Sequence, residues 1–465
     1  MSDEENKVKT ESPPLLNYLK QEISLEEIRD YASPKRIESI DFVKGFAIVF
    51  IILAHTSGVW LDENWIFMNG IVYLSLDILG PSLFVFLSAL SVVFSIKSKK
   101  GKLPDKVVRS RIFSRGLMIM AIGVPYNLLA ITFTVEGYPF PLNLWGWNIL
   151  MFIGFSQILS YYALKLGKLA RVVIGGVIIF ISGDIRSALY YGKDQNPFFW
   201  FLHYVITSPA PQVTLFPWLS ICFLSTIFGE YLYEAMTEGP GDAYTRLFRI
   251  FMFWGIFLVI LGVSRGLTVY NPDTLPGGIN EYPHLQLLEI ANSQKFIPEI
   301  KYPGIYEFLI RGREPNMWYN LGCALVLIAV CFYFIDIKRH KNYFINMFKY
   351  YGKVSLSLFL IHYAFITLFI SQFPVYYFAF AYLAYTGFLG FLMYVWLEYG
   401  NGVMSPEWIM IQVGRIGQKT GESVSKTSKK AYEKTVEGLK KTEKAIKKET
   451  DKIFKKPEKD SEKQN

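Results

Sequence analysis

The stretch Arg36-Ile-Glu-Ser-Ile-Asp41-Phe-Val-Lys44-Gly-Phe-Ala-Ile-Val-Phe-Ile-Ile-Leu-Ala-His55 decides how the rest of the chain is interpreted. It begins with charged residues, continues through an apolar run and ends on a histidine. A helix that rises about 1.5 Å per residue separates Asp41 from His55 by roughly 21 Å. Ionisable groups inside a membrane span are costly, so they tend to be paired and to mark a functional path. The stretch therefore predicts a membrane-spanning helix that carries a functional histidine.

The whole chain shares the apolar character of this stretch. Of its 465 residues, 52% are hydrophobic and 17% are aromatic, which is too apolar for a soluble globular protein of this length. Ten apolar runs are each near the ~20 residues that a helical span requires. We predict an all-α polytopic membrane protein with about ten transmembrane helices, at 40–60, 71–96, 112–134, 146–166, 169–185, 213–233, 248–265, 317–337, 354–373 and 375–398.

The charge of the loops predicts the orientation of these spans. Lysine and arginine crowd the second, fourth and eighth connections, whereas the odd-numbered connections are poor in both. By the positive-inside rule, the even connections and both termini are cytosolic. The predicted domains are a polar cytosolic N-terminal segment (1–38), a transmembrane core (39–400) and a cytosolic basic tail (401–465).

The tail holds most of the excess positive charge. The net charge of the chain is +9, of which +7 belongs to residues 415–465. Apolar residues recur there at helical spacing in a lysine-rich background, which predicts a basic amphipathic helix. Two placements remain open: on the anionic inner leaflet, or in solvent as a charged helix or coiled-coil arm. A basic tail on a membrane protein indicates anionic lipid, not nucleic acid, as the partner.

His55 and Asp77 are predicted to lie at matching depth in the outer third of the first two spans. A carboxylate that accepts a hydrogen bond from one imidazole nitrogen fixes the tautomer and leaves the other nitrogen free as a general base. We therefore predict that His55 is a general base and that Asp77 orients it. The alternatives are a structural histidine bonded to a neighbouring helix and a helix-end carboxylate that faces a wet vestibule.

Arg111 and Arg115 are spaced i, i+4 at the cytosolic start of the third span, so they share one helix face. Two guanidinium groups at a membrane rim can bind phosphate bidentately. The alternative is plain positive-inside charge in contact with lipid headgroups. His362, near the middle of the ninth span, either lines a tunnel or bonds a facing helix, and Asp41 is grouped with it as a tunnel or structural residue.

The sequence contains no metal-ligand cluster, no phosphate-binding glycine loop and no Gly-x-Ser-x-Gly elbow. Hydrolase and nucleotide-hydrolysing transporter functions lose support accordingly.

Several of these landmarks together resemble one superfamily of membrane acyltransferases. It includes heparan-alpha-glucosaminide N-acetyltransferase and the type 3 acyltransferases that O-acetylate envelope polysaccharides. The order and spacing of the matching segments across 36–415 are more specific than any single segment. Lys44 stands where the family usually has arginine, and Ala89 replaces a common glycine. The matching pieces are Arg36 to His55, Asp77 to Ser88, the Arg111/Arg115 pair, Phe216-Pro217-Trp218, Gly352 to His362 and Pro406-Glu407-Trp408.

The resemblance implies transfer of an acyl group, usually acetyl, from cytosolic coenzyme A to a hydroxyl or amine of an extracytoplasmic glycan. In that picture His55 is catalytic, and Arg111 and Arg115, with Lys44, hold the phosphates of the acetyl-CoA donor. No metal is expected. The expected partners are membrane lipid, acyl-CoA, a sugar or glycan acceptor and, as an open option, a second copy of the chain in a homodimer. The expected location is the cell (plasma) membrane.

Two other functions remain open on the sequence alone. A transporter would move a small solute or proton along the same polar path, but it would not require the arginine pair and would favour paired broken helices in internal repeats. A non-catalytic membrane scaffold recruited through the tail predicts that His55→Ala leaves function unchanged, while deletion of 415–465 abolishes it.

Overall fold

The computed structural model describes residues 37–79, 81–99, 103–131, 140–207, 214–275, 277–295, 301–400 and 402–454. Nearly all of the predicted N-terminal segment therefore lies outside the described residues. Within them the chain is almost entirely helical, with a short antiparallel ladder that pairs Val269 with Tyr306 and Tyr270 with Ile305. The prediction of an all-helical protein is confirmed for this part of the chain.

Helix boundaries follow local capping where a polar side chain is available. Asn148, Asn196 and Asn342 each accept a hydrogen bond from a backbone N–H in the first turn of the helix that follows, as asparagine at a helix start commonly does. The helices and strands are α1 (Glu38–Trp60), α2 (Phe67–Leu76), α3 (Pro81–Lys97), α4 (Asp105–Ile131), α5 (Ile149–Ala163), α6 (Lys168–Gly192), α7 (Pro197–Ile206), α8 (Leu215–Glu238), α9 (Asp242–Arg265), β1 (Val269–Tyr270), α10 (Gly278–Glu281), α11 (Gln286–Asn292), β2 (Ile305–Tyr306), α12 (Glu314–Phe332), α13 (Tyr343–Lys353), α14 (Ser355–Ile361), α15 (Val375–Tyr399) and α16 (Pro406–Phe454).

Seven helical stretches in the described residues are long and apolar enough to cross a membrane, which makes this a multi-pass membrane protein. They coincide with seven of the ten predicted runs. Of the other three runs, the third falls on α4, which starts with a charged turn, and the fourth falls on α5, which has only 15 residues. The seven stretches are α1, Phe67–Lys97, α6, α8, α9, Glu314–Ile337 and α15.

The predicted ninth span, 354–373, is not one continuous helix. α14 ends before His362, and a separate 3₁₀ turn follows at Ile366–Phe369. Beyond it, the backbone N–H of Ser371 donates to the Val59 carbonyl at 2.8 Å, and that of Phe373 donates to the Trp60 carbonyl at 2.8 Å. These bonds to the end of α1 satisfy the backbone N–H groups of the segment. The segment can therefore be buried without the hydrogen bonds of a continuous helix.

α1 crosses α13 with their backbones in contact. A Cβ added to Gly45 would lie 1.8 Å from the carbonyl oxygen of Phe348, and one added to Gly352 would lie 1.8 Å from that of Asp41. Only glycine at both positions permits this approach. The crossing brings the start of α1, with Asp41 and Lys44, next to the end of α13.

Candidate active site

Two cavities lie along α1 and meet at one pair of apolar side chains. The first, named the Arg115 cavity, has a volume of about 270 Å³, and the second, named the His55 cavity, has a volume of about 210 Å³. Ile149 and Phe359 line both of them. This shared pair, named the waist, forms part of the wall of both cavities.

The Arg115 cavity brings together charged residues that are far apart in the sequence. Its lining includes Asp41 and Lys44 from α1, Arg115 from α4, Lys353 from α13 and Glu407 from α16. The ammonium group of Lys44 donates to the Ser91 hydroxyl at 3.2 Å. The three cations outnumber the two carboxylates in this lining, which favours an anionic ligand.

The two arginines predicted to act as a pair lie side by side on α4. A Cβ built on Gly414 of α16 would come within 3.2 Å of the Arg115 Cδ and 3.8 Å of the Arg111 Nε. The side chains of both arginines therefore lie against α16. Arg115 lines the Arg115 cavity, whereas Arg111 lies beside it and is not part of the lining.

A further cation, Lys99, was not singled out from the sequence. Its Nζ is buried and has no hydrogen-bond partner among the described residues. Burial, and then the charges of Arg111 and Arg115, lower the pKa of Lys99 to about 7. A buried ammonium beside two guanidinium groups is unfavourable without an anion to bind. In the sequence it was one of several loop lysines, and only the fold shows which of them approaches the arginines.

His55 has Tyr363 as its hydrogen-bond partner. The Tyr363 hydroxyl lies 2.7 Å from His55 Nδ1, and its ring also packs edge-on against Tyr126 at 5.5 Å between centroids. Tyr363 lies just beyond the end of α14, where the predicted ninth span is interrupted. No pattern in the sequence distinguished it from the other aromatic residues of the apolar runs.

Asp77 lines the same cavity as His55 but is paired with a different residue. The Nε of Arg311 donates to its carboxylate at 2.8 Å, and the Asn320 amide donates at 3.3 Å. This arrangement differs from the predicted one, in which Asp77 orients His55. A buried carboxylate is stabilised more strongly by a guanidinium group than by a neutral imidazole. Arg311 comes from the long connection 266–316, and no pattern in the sequence paired it with Asp77.

His362 lies between the waist and His55. It is fully buried, its ring centroid is 5.2 Å from that of His55 and 5.5 Å from that of Phe359, and its Nδ1 lies 2.6 Å from the Phe359 carbonyl oxygen. The hydrogen bond is thus made within its own segment, not to a facing helix. Because its ring lies close to both His55 and Phe359, His362 is placed to hold these two side chains in position.

Basic groups from other elements complete the His55 cavity. Arg186 of α6 is buried and donates to the carbonyl oxygens of Glu281, at 2.7 Å, and Gly312, at 3.3 Å. His284 also lines the cavity, and burial lowers its pKa to about 4, so its imidazole is neutral at pH 7. With Arg311, these groups offer donors to an oxygen-rich ligand.

Residues 36–260 match the family model described as heparan-alpha-glucosaminide N-acetyltransferase, catalytic. This segment, just under half of the chain, is similar to that family of membrane acetyltransferases. The matched residues include His55, Asp77 and both arginines of α4. The predicted resemblance and the acyltransferase assignment are thereby confirmed, with acetyl-CoA as the donor that the family uses. No curated protein sequence matches the chain significantly.

The cations beside the Arg115 cavity have the chemistry that the phosphates of acyl-CoA require. Among the described residues, the buried ammonium of Lys99 has no hydrogen-bond partner, and phosphate groups would stabilise it beside Arg111 and Arg115. In the part of the chain that the structure describes, no three His, Cys, Asp or Glu side chains are placed to hold a metal ion.

Proposed function

We propose that this acyltransferase moves an acetyl or short acyl group from acyl-CoA in the Arg115 cavity to an acceptor in the His55 cavity. The observation that carries this proposal is the waist, since Ile149 and Phe359 line both cavities. A cation-rich cavity and a histidine-containing cavity that meet at one apolar point suit a transfer across a membrane. The acceptor in this proposal is a hydroxyl or amine of an extracytoplasmic glycan.

At the donor end, Arg111, Arg115, Lys99 and Lys44 bind the phosphates of acyl-CoA. Guanidinium groups match phosphate oxygens in a planar, bidentate geometry. The Lys99 ammonium is destabilised by burial and by the two arginines, and a bound phosphate would relieve both effects. The acyl end of the cofactor then points towards the waist.

At the acceptor end, His55 is the general base. For Nε2 to accept a proton, Nδ1 must carry a hydrogen and donate it to the Tyr363 oxygen, 2.7 Å away. The acceptor oxygen or nitrogen then bonds to the thioester carbonyl carbon, and the carbon–sulfur bond breaks. The proton that His55 removed passes to the sulfur, so coenzyme A leaves as a thiol. Asp77 would hold Arg311 towards the acceptor.

The proposed topology places the Arg115 cavity on the cytosolic side. The distribution of lysine and arginine in the loops supports this orientation and the cytosolic position of both termini. The proposal also includes ten membrane passages and residence in the plasma membrane. In that arrangement, the transmembrane core carries the chemistry, and the basic tail continues α16 towards anionic lipid. A homodimer remains compatible with this proposal.

One observation favours a transporter as the second candidate. The helices are interrupted at Asp77–Leu79 and after Ile361, on either side of the His55 cavity. Transporters place ligands at interrupted helices of this kind. A transporter, however, has no use for the cation group around Arg115.

Turnover of acetyl-CoA by the purified full-length protein tests the proposal. We expect the wild type to bind acetyl-CoA and release coenzyme A, and His55→Ala to lower kcat by about 100-fold or more while binding persists. The double variant Arg111→Gln/Arg115→Gln should raise KM by about tenfold or more. A wild type that neither binds nor cleaves acetyl-CoA would refute the proposal, and solute flux into liposomes without acyl-CoA would favour the transporter. If the arginine variant binds normally, only the assigned role of the pair fails.

A further inference from the structure

The first four turns of α16 pack against two elements of the Arg115 cavity. This segment, residues 406–421, is named the α16 stem, and it lies outside the segment that matches the acyltransferase family. Glu407 and Met410 of the stem line the cavity directly. The stem therefore forms part of the wall of the proposed donor site.

The stem packs closely against α4 through three glycines. A Cβ on Gly417 would lie 2.3 Å from the Ser114 Oγ, 2.7 Å from the Ser114 Cβ and 3.0 Å from the Ser110 carbonyl oxygen. Gly414 faces the arginines one turn towards the start of α16, and a Cβ on Gly421 would lie 2.9 Å from the Val107 Cα. The order of these contacts shows that the two helices run antiparallel, with Arg111 and Arg115 against the stem.

The stem is also attached to α14. The Glu407 carboxylate accepts a hydrogen bond from the Ser357 N–H at 3.0 Å and a second one from the Ser357 hydroxyl. Burial raises the pKa of Glu407, and the hydrogen bonds from Ser357 oppose that effect. Because α14 carries Phe359 of the waist, the stem contacts both the helix of the arginines and the helix of the waist.

We propose that the α16 stem positions Arg111 and Arg115 for acyl-CoA, which makes Gly414, Gly417 and Gly421 positioning residues of the donor site. The proposal rests on the proposed function. Arginine side chains have many rotamers. Packing of α16 against their methylene groups restricts these rotamers before the ligand arrives, which lowers the conformational entropy lost on binding. Substitutions that push the stem away should therefore weaken acyl-CoA binding more than they slow the chemical step at His55.

Gly417→Ala tests this role, and a second substitution, Ser114→Gly, should reverse its effect. The new Cβ would overlap both side-chain atoms of Ser114, so a rotamer change of Ser114 cannot relieve the clash and α16 must shift. We expect KM for acetyl-CoA to rise about fivefold or more, with kcat changed less than about twofold. Adding Ser114→Gly removes the two overlapping atoms and should restore most of the affinity. Gly387→Ala is the matched control, because nothing lies within 4 Å of a Cβ at that helical, exposed position.

Deletion of 425–465 separates the stem from the rest of the tail. We expect this shortened chain to keep the wild-type KM within about twofold, because all three glycine contacts remain. An unchanged KM for Gly417→Ala, or no rescue by Ser114→Gly, would overturn the positioning role and leave the proposed function standing. A wild type without acetyl-CoA binding would overturn both.

Discussion

The hydroxyl of Tyr363 is 2.7 Å from His55 Nδ1 and is the hydrogen-bond partner that can set the tautomer of this imidazole. We expect Tyr363→Phe to lower kcat by about tenfold or more with little change in KM for acetyl-CoA, since acyl-CoA binds in the other cavity. The measurement is steady-state release of coenzyme A. Tyr382→Phe is the control, because it removes a partly buried hydroxyl that donates to the Val49 carbonyl at 2.9 Å without contact to His55. Equal kcat for Tyr363→Phe and wild type would contradict the role.

Lys99 gives the donor site a defined pH dependence. Its pKa is about 7 in the free protein, and bound phosphate favours the charged form, so binding is coupled to proton uptake above that pH. We expect the dissociation constant of acetyl-CoA to rise by up to about tenfold per pH unit between pH 7 and 9. Lys99→Met should bind more weakly at pH 7 and show a flatter profile, because it removes the group whose pKa lies in this range. Isothermal titration at three pH values measures this, and identical slopes for both proteins would exclude Lys99 from the site.

Among the secondary-structure elements, hydropathy was sufficient to predict the long helices. It was insufficient where tertiary hydrogen bonds replace those within a helix. Seven predicted runs match long apolar helices, because burial in lipid needs little more than length and apolar composition. The interruption after Ile361 was not predictable, because Ser371 and Phe373 bond to the backbone of α1, which is distant in sequence.

The same limit applies to the site. His55, Asp77, Lys44 and the two arginines were identifiable as ionisable groups in or near apolar runs. The structure places all of them except Arg111 in the linings of two cavities, and Arg111 lies beside Arg115 against α16. Their partners were not identifiable: Arg311 comes from a loop, and Tyr363 resembles many other aromatic residues. The α16 stem was assigned to the tail because the residues that follow it are lysine-rich, whereas its glycines pack against α4.

For the molecule as a whole, the proposed transfer requires the acyl group to pass between the two cavities at the waist. Phe359 is 6% exposed and packs between Tyr126, at 5.2 Å between ring centroids, and His362. Ile149 opposes it at the start of α5, which is held by the Asn148 amide bonded to the Gly123 carbonyl at 2.7 Å. In the proposed transfer, these two apolar side chains limit both the entry of water and the width of the acyl chain that passes between the cavities.

Widening the waist should therefore change the preference for acyl-chain length. For Phe359→Ala we expect the ratio of kcat/KM for octanoyl-CoA to that for acetyl-CoA to rise by about tenfold, since a few methylenes in an apolar pocket are worth a discrimination of that order. Loss of a buried phenyl ring also destabilises the fold by about 3–5 kcal/mol, so the control must share that defect. Phe332→Ala serves, because Phe332 is 2% exposed and lies on α12, outside the lining of both cavities. It should lower stability without changing the ratio. If both variants give the wild-type ratio, the acyl group does not pass between Ile149 and Phe359, and the two cavities serve separate ligands.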